Sequence, residues 1–191
     1  MLRRLMRTLT HVNRRGEARM VEIAGKDSSL REARAAAELR MRPSTLKAIL
    51  AGRMPKGDVL AVARVAGIQA AKRTPELIPL CHGIALTSCE VHFEPDPRSG
   101  VLKVVALARA TDRTGVEMEA LVAASVAALA VYDMIKAVER GMTIAELVLL
   151  EKRGGRSGEW IRPAPAPATV RRRRPSRRVS GRAARRTSRR G

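Results

Sequence analysis

Asp133 and Lys136 stand three positions apart in "YDMIKAV". On a helix that spacing puts a carboxylate and an ammonium on one face. The pair then has two readings: a surface ion pair contributing about a few tenths of a kcal/mol, or, inside a cleft, a proton-transfer couple with perturbed pKa values. Earlier in the same apolar stretch lie Glu117, Met118 and Glu119. Thr114 followed three residues later by Glu117 reads as a capping box, which explains Glu117 but not Glu119. A second chemistry-bearing stretch is "AKRTPELIPLCHG", residues 71 to 83, with Lys72 and Arg73 at one end and Leu80, Cys81 and His82 at the other. Lys72 is either an anion partner or a cation stabilising a helix C-terminus. His82 follows Pro79 in a loop, where an imidazole can face a cleft or serve structure alone. Cys81 has no recognisable triad partner and reads as small packing material. Lys56, just ahead of a helix start at Gly57-Asp58, is placed where free N–H groups and the helix dipole favour a phosphate.

These residues need elements to carry them. In "ARAAAELRM", Ala33, Ala35, Ala37, Leu39 and Met41 fall at every second position with Arg34, Glu38 and Arg40 between them, which predicts a strand despite the alanine content. Pro43 opens a short helix ended by Gly52, and residues 56–74 read as a second helix whose small residues suggest close packing. The alternating stretches 85–95 and 101–111 flank "DPRSG" and predict a hairpin. A helix of some seven turns then runs from Gly115 to Gly141, and a last strand over 142–152 leads into "RGGRSG". This order indicates an α+β fold, helices on one face of an antiparallel sheet in a ferredoxin-like α/β sandwich.

The chain has 191 residues and a formal charge of +20, yet 11 of its 38 basic residues are arginines between Arg171 and Arg190. Without them 27 bases face 18 acids, so the body is only moderately basic, as suits a protein handling anionic substrates. Residues 1–160 read as one domain. After it "PAPAPA" and the arginine-rich segment, 161–191, have too little apolar surface to offset their ordering entropy and are expected to be disordered. No apolar run approaches the roughly 20 residues of a membrane span, and no secretory signal is evident, so a cytoplasmic location without membrane contact is expected. Two cysteines and three histidines without close ligand spacing predict neither a disulfide framework nor a metal site. The phosphate-loop and dinucleotide fingerprints are absent.

Read together, "LTHVNRRGEARMVEIAGK", "KGDVLAVARVAGIQAAKRTPELIPLCH", "RTGVEMEALVAASVAALAVYDMIKAVERGM" and "LLEKRGGRSG" resemble the molybdenum cofactor biosynthesis protein C family, the cyclic pyranopterin monophosphate synthases. The resemblance covers residues 9 to 160. It implies conversion of 3′,8-cyclo-7,8-dihydroguanosine 5′-triphosphate to cyclic pyranopterin monophosphate with release of pyrophosphate, and no cofactor. It implies that Asp133 is catalytic with Lys136, that Leu80, Cys81, His82, Met118 and Glu119 contact substrate, and that Lys56 and Lys72 belong to the same pocket. Proton transfers of a purine-to-pterin rearrangement suit an aspartate, a histidine and a lysine of lowered pKa, and cations suit the phosphates. Two departures stand out: Gly83 where the family has proline after "LCH", and Arg153 and Arg156 where it has lysines. An arginine keeps the charge but cannot act as a base.

The resemblance also implies hexamers built as trimers of dimers. Glu119 and Asp133 lie within about 40° of one helix face but about 21 Å apart along the axis, so a shared site needs a second chain. The expected assembly is therefore an obligate homo-oligomer with composite active sites. A rival reading, a nucleic-acid-binding protein acting through its arginine tail on a spent scaffold, has the charge in its favour. Against it stand one Phe, one Tyr and one Trp, too few for base stacking. A purely structural oligomeric scaffold is the third reading, and a non-specific nucleic-acid contact of the tail is compatible with the first.

Overall fold

The computed structural model describes Asn13 and residues 15–164. Among the described residues the elements run β1 (Ser29–Arg40), α1 (Pro43–Leu50), α2 (Val59–Ala71), α3 (Thr74–Leu77), β2 (Leu86–Asp96), β3 (Val101–Asp112), α4 (Glu117–Ile135) and β4 (Thr143–Arg153), and a two-residue β5 (Trp160–Ile161) follows. The β1–β3, β1–β4, β2–β3 and β4–β5 pairs are antiparallel and the order is β2-β3-β1-β4-β5. Leaving out β5, this is the split β-α-β order of a ferredoxin-like sheet with helices on one face, as the residue pattern predicted.

The period-two alternation in β1 is what fixes the faces. Ala33, Ala35, Ala37 and Leu39 are at most 1 % exposed. In register opposite them stand Ala108, Ala106, Val104 and Leu102 of β3, all fully buried. Such small side chains leave little volume above the sheet, and α4 fills it with an equally small face of Ala120, Ala123, Ala124, Ala127 and Ala128. The close packing expected of α2 is carried by Gly67, where a Cβ would lie 2.8 Å from the Ala123 carbonyl oxygen and 3.1 Å from the Ala127 Cβ. Arg64 ties α2 to β2 from outside, donating to the Val91 carbonyl at 3.1 Å with its guanidinium over the Phe93 ring.

Several expectations need correction. The Thr114–Glu117 capping box does not form: the N-cap is Val116, without a side-chain bond, and the Glu117 carboxylate folds back into the space that the missing Cβ of Gly115 leaves open. The helix stops at Ile135, six residues before Gly141. Beyond it the chain turns through bonds from the Val138 and Glu139 N–H groups to the Ile135 carbonyl. The helix expected over 56–74 is shorter, α2 over Val59–Ala71, because Pro75 has no N–H to continue the hydrogen-bond ladder, and Thr74 already belongs to the separate α3. Finally, α4 does have the length, 19 residues, and the mean hydropathy, 1.7, of a membrane span, contrary to the reading of the sequence. It is the central core helix, and its apolar face is buried on the sheet. The tail expected to be disordered lies, from residue 165 on, outside the described residues.

Candidate active site

Three charged groups converge at the C-terminal end of α4. Lys136 Nζ lies 2.7 Å from Asp133 Oδ1, the bond their spacing allows on one helix face. Lys56, 77 positions away, donates to Asp133 Oδ2 and to the Asp133 backbone carbonyl, both at 3.0 Å. That carbonyl belongs to the last turn, whose acceptors lack intrahelical partners, so the lysine also closes the helix end. Lys56 reaches it from the turn joining α1 to α2, where Gly57 adopts a φ of 87° and Asp58 caps α2 by accepting from the Ala61 N–H at 2.9 Å. Lys56 is thus directed at Asp133 rather than held at the α2 N-terminus. Hydrogen bonds from Lys136 and Lys56, with their charges, hold the Asp133 carboxyl down at about 2. In return Asp133 raises the Lys136 ammonium above the ordinary lysine range, opposite to the lowered value expected of a basic lysine. By geometry both lysines donate to the Asp133 carboxylate.

The N-terminal end of α4 is different in kind. Met118 and Glu119 face Leu80, Cys81 and His82 across a cavity of about 310 Å³, closed on a third side by Val21, Ile23 and Lys26. All five residues expected at the substrate from "LCH" and "ME" meet here. His82 Nε2 lies 2.8 Å from the Val21 carbonyl oxygen, which accepts only if the proton is on that nitrogen, so this contact sets the tautomer. Glu119 is 2 % exposed, and its Oε2 has no hydrogen-bond partner among the described residues. Burial pushes its carboxyl up to about 7, with the Glu117 and Asp112 carboxylates adding to the shift. The same burial, and then the Glu119 charge, push the Cys81 thiol up, which fits packing rather than nucleophilic use.

A second cavity of about 570 Å³ adjoins the first and shares Lys26, Thr114, Gly115 and Glu117 with it. It is strongly cationic: Lys26, Arg31, Arg113, Lys152, Arg153 and Arg156 line it against the acids Asp27 and Glu117. The loop after β4 makes it possible. Gly154 and Gly155 have φ of 91° and 73°, and side chains there would collide with the Leu30 carbonyl and with the Arg31 guanidinium. Arg31 is held from behind by its Nε bond to the Asp112 carbonyl at 3.0 Å. Lys72, by contrast, lines neither cavity. It is the C-cap of α2, and its charge falls on Cys89.

The family model described as the MoaC family matches residues 20–155, which include both ends of α4 and most of the cationic cavity. The chain belongs to the MoaC family. A relative from Pelotomaculum thermopropionicum is 57 % identical over 157 residues, 82 % of this chain and 92 % of its own length. One from Chloroflexus aurantiacus is 56 % identical over 155 residues, covering 81 % and 95 %. One from Geobacter metallireducens is 53 % identical over 159 residues, covering 83 % and 99 %. Each of these MoaC relatives is named cyclic pyranopterin monophosphate synthase.

Within this MoaC fold, Lys26, Arg31 and Arg113 are the residues that reading the sequence missed. Each is an isolated cation in its own stretch, and only the pairing of β1 with β3 and β4 gathers them beside "RGGRSG". The glycine pair was the available signal, since two adjacent glycines after a strand mark a backbone that must turn sharply or approach something closely. Among the described residues no three His, Cys, Asp or Glu side chains converge as metal ligands would.

Proposed function

We propose that this chain is a cyclic pyranopterin monophosphate synthase, which rearranges 3′,8-cyclo-7,8-dihydroguanosine 5′-triphosphate to cyclic pyranopterin monophosphate and releases pyrophosphate in molybdenum cofactor biosynthesis. Family membership supports the reaction. The observation that carries the assignment to residues is the convergence of Lys56 and Lys136 on Asp133, a cluster assembled from distant parts of the chain at the "YDMIKAV" motif.

In this reading Lys136 and Lys56 donate protons and stabilise phosphate negative charge, while Asp133, ionised at all physiological pH, holds them in place. The guanine-derived ring occupies the cavity of Leu80, Cys81, His82, Met118 and Glu119. There a neutral Glu119 can donate, or an ionised one accept from ring N–H groups. The triphosphate extends into the cationic cavity, where Arg31 and Arg156 offer forked donors. Lys72 joins the pocket only across a subunit boundary.

Glu119 and Asp133, near the two ends of α4, are about 21 Å apart along its axis, too far to act on the same atoms. The active form is therefore a homo-oligomer, a hexamer of three dimers, in which Glu119 of one chain faces Asp133 of another. Leu129 on α4 and Val62 and Val65 on α2, between 46 and 59 % exposed, supply apolar surface for such contacts. The enzyme works in the cytoplasm, and the arginine tail adds a weak, salt-sensitive nucleic-acid contact. Incubating the purified protein with the cyclised GTP intermediate and assaying pyrophosphate tests the proposal. Stoichiometric release with formation of the cyclic monophosphate is expected, and no release by the correctly assembled protein would refute it.

A further inference from the structure

Glu139 lies three residues beyond Lys136, outside α4, and its side chain is turned onto the start of α1 with only 11 % exposure. Its two oxygens accept from the Arg42 backbone N–H at 3.0 and 3.1 Å, and Oε2 lies 3.3 Å from Arg42 Nε. Arg42 Nη2 donates in turn to the Val138 carbonyl at 3.0 Å. Burial opposes ionisation of Glu139, but hydrogen bonds from Thr45 and Arg42 outweigh it and hold the carboxyl below its ordinary range. The site explains why a carboxylate is wanted there. α1 has no side-chain N-cap and no acid in its first turn, and Glu139 supplies from 97 positions away the negative charge its N-terminus lacks.

The clamp joins the two segments that meet at Asp133. One runs from Arg42 through α1, anchored by the buried Leu46, Ile49 and Met54, to Lys56. The other is the turn that carries Lys136 away from Ile135. We infer that Glu139, through its clamp on Arg42 and Thr45, is a positioning residue that fixes Lys56 and Lys136 on opposite sides of Asp133 and thereby sets turnover. The inference rests on the catalytic reading of that cluster proposed above.

The test compares full-length Glu139→Ala, Glu139→Gln and Arg42→Ala proteins by turnover of the cyclised GTP intermediate. It adds amine acylation at pH 8 with acetic anhydride, read by mass spectrometry as the ratio of Lys136 to Lys103 labelling. In Glu139→Ala, kcat should fall about 10- to 100-fold with KM within about threefold, as for a misplaced reacting group. Lys136 labelling should rise several-fold as its pairing with Asp133 loosens. Glu139→Gln keeps an acceptor oxygen and should recover kcat to within about fivefold of the wild type. Arg42→Ala keeps the backbone bonds and should lose about three- to tenfold in kcat, with a smaller rise in labelling. If Glu139→Ala does not fold, Arg42→Ala carries the test. Unchanged labelling in the variants that fold, whatever their activity, overturns the positioning role. Raised labelling with full activity keeps the clamp but removes the cluster from the chemistry, a failure of the underlying reading that this design tells apart.

Discussion

At the C-terminal end of α4, Asp133 is 57 % exposed and held near 2 by two lysines, whereas at the N-terminal end Glu119 is 2 % exposed and pushed up to about 7 by burial. Both carboxylates ride on one apolar helix. Their environments separate them: one is an anion that organises cations, the other a buried group beside an open cavity whose carboxyl is pushed up to about 7. Two acidic groups whose surroundings drive their pKa values apart are suited to different tasks in one reaction. The helix keeps Glu119 and Asp133 about 21 Å apart, so each has its own surroundings.

The largest effect should come from breaking the anionic end. Asp133→Ala or Lys136→Ala should lower kcat by about a thousandfold or more while circular dichroism and oligomer size stay those of the wild type. Near-normal rates in Lys136→Ala would remove it from the chemistry. A smaller but still large effect should follow from removing forked donors in the cationic cavity. Arg31→Ala or Arg156→Ala should raise KM about 10- to 100-fold with little change in kcat, and the penalty should shrink as added salt screens the wild-type contact. A loss confined to kcat would place the triphosphate elsewhere.

The buried end gives a test by stability. Because the folded pKa of Glu119 is raised above its unfolded value, the folded state binds more protons between about 4.5 and 7. Its contribution is therefore present at acid pH and is lost as pH rises through that window. Glu119→Gln, which stays neutral, should be more stable than the wild type at pH 8 by about 1–2 kcal/mol after allowance for solvent screening, and close to it at pH 4.5. Equal melting temperatures at both pH values would mean that Glu119 is not desolvated in the assembled protein. The smallest effect is expected from the tail. Truncation after Ala164 spares the Arg162 N–H bond to the Leu150 carbonyl, and it should leave kcat within about twofold while lowering salt-sensitive binding to DNA or RNA.

Much of this was legible in the residues, and the exceptions have physical causes. β1 and β3 follow period-two alternation, which one buried face imposes on a strand, and the bounds of all four long strands came within a few residues. The end of α4 did not. Nothing local stops "KAVERG" from continuing as a helix, and the side chain that pulls it away, Glu139, has its partner 97 positions off. The Thr114 cap failed for a similar reason, since Glu117 had a rival place against Gly115. For the site, motif residues were readable because they are contiguous: "LCH" and "ME" meet as expected. Lys26, Arg31 and Arg113 were not, because sheet pairing alone makes them neighbours. The direction of the Lys136 shift was not legible either: Asp133 raises its ammonium, and spacing alone does not tell whether a neighbouring carboxylate stays ionised.

The central claim, that a working site joins Glu119 of one chain to Asp133 of another, is tested most directly by mixing two inactive proteins. Glu119→Ala and Asp133→Ala chains are combined under conditions that exchange subunits, with exchange verified by mass spectrometry of differently tagged chains. If two-fold dimers share their sites, half of the dimers are mixed and one of the two sites in each carries both wild-type residues, so about a quarter of the wild-type turnover should return. Proven exchange with no recovery of turnover would contradict the account and place the whole site within one chain.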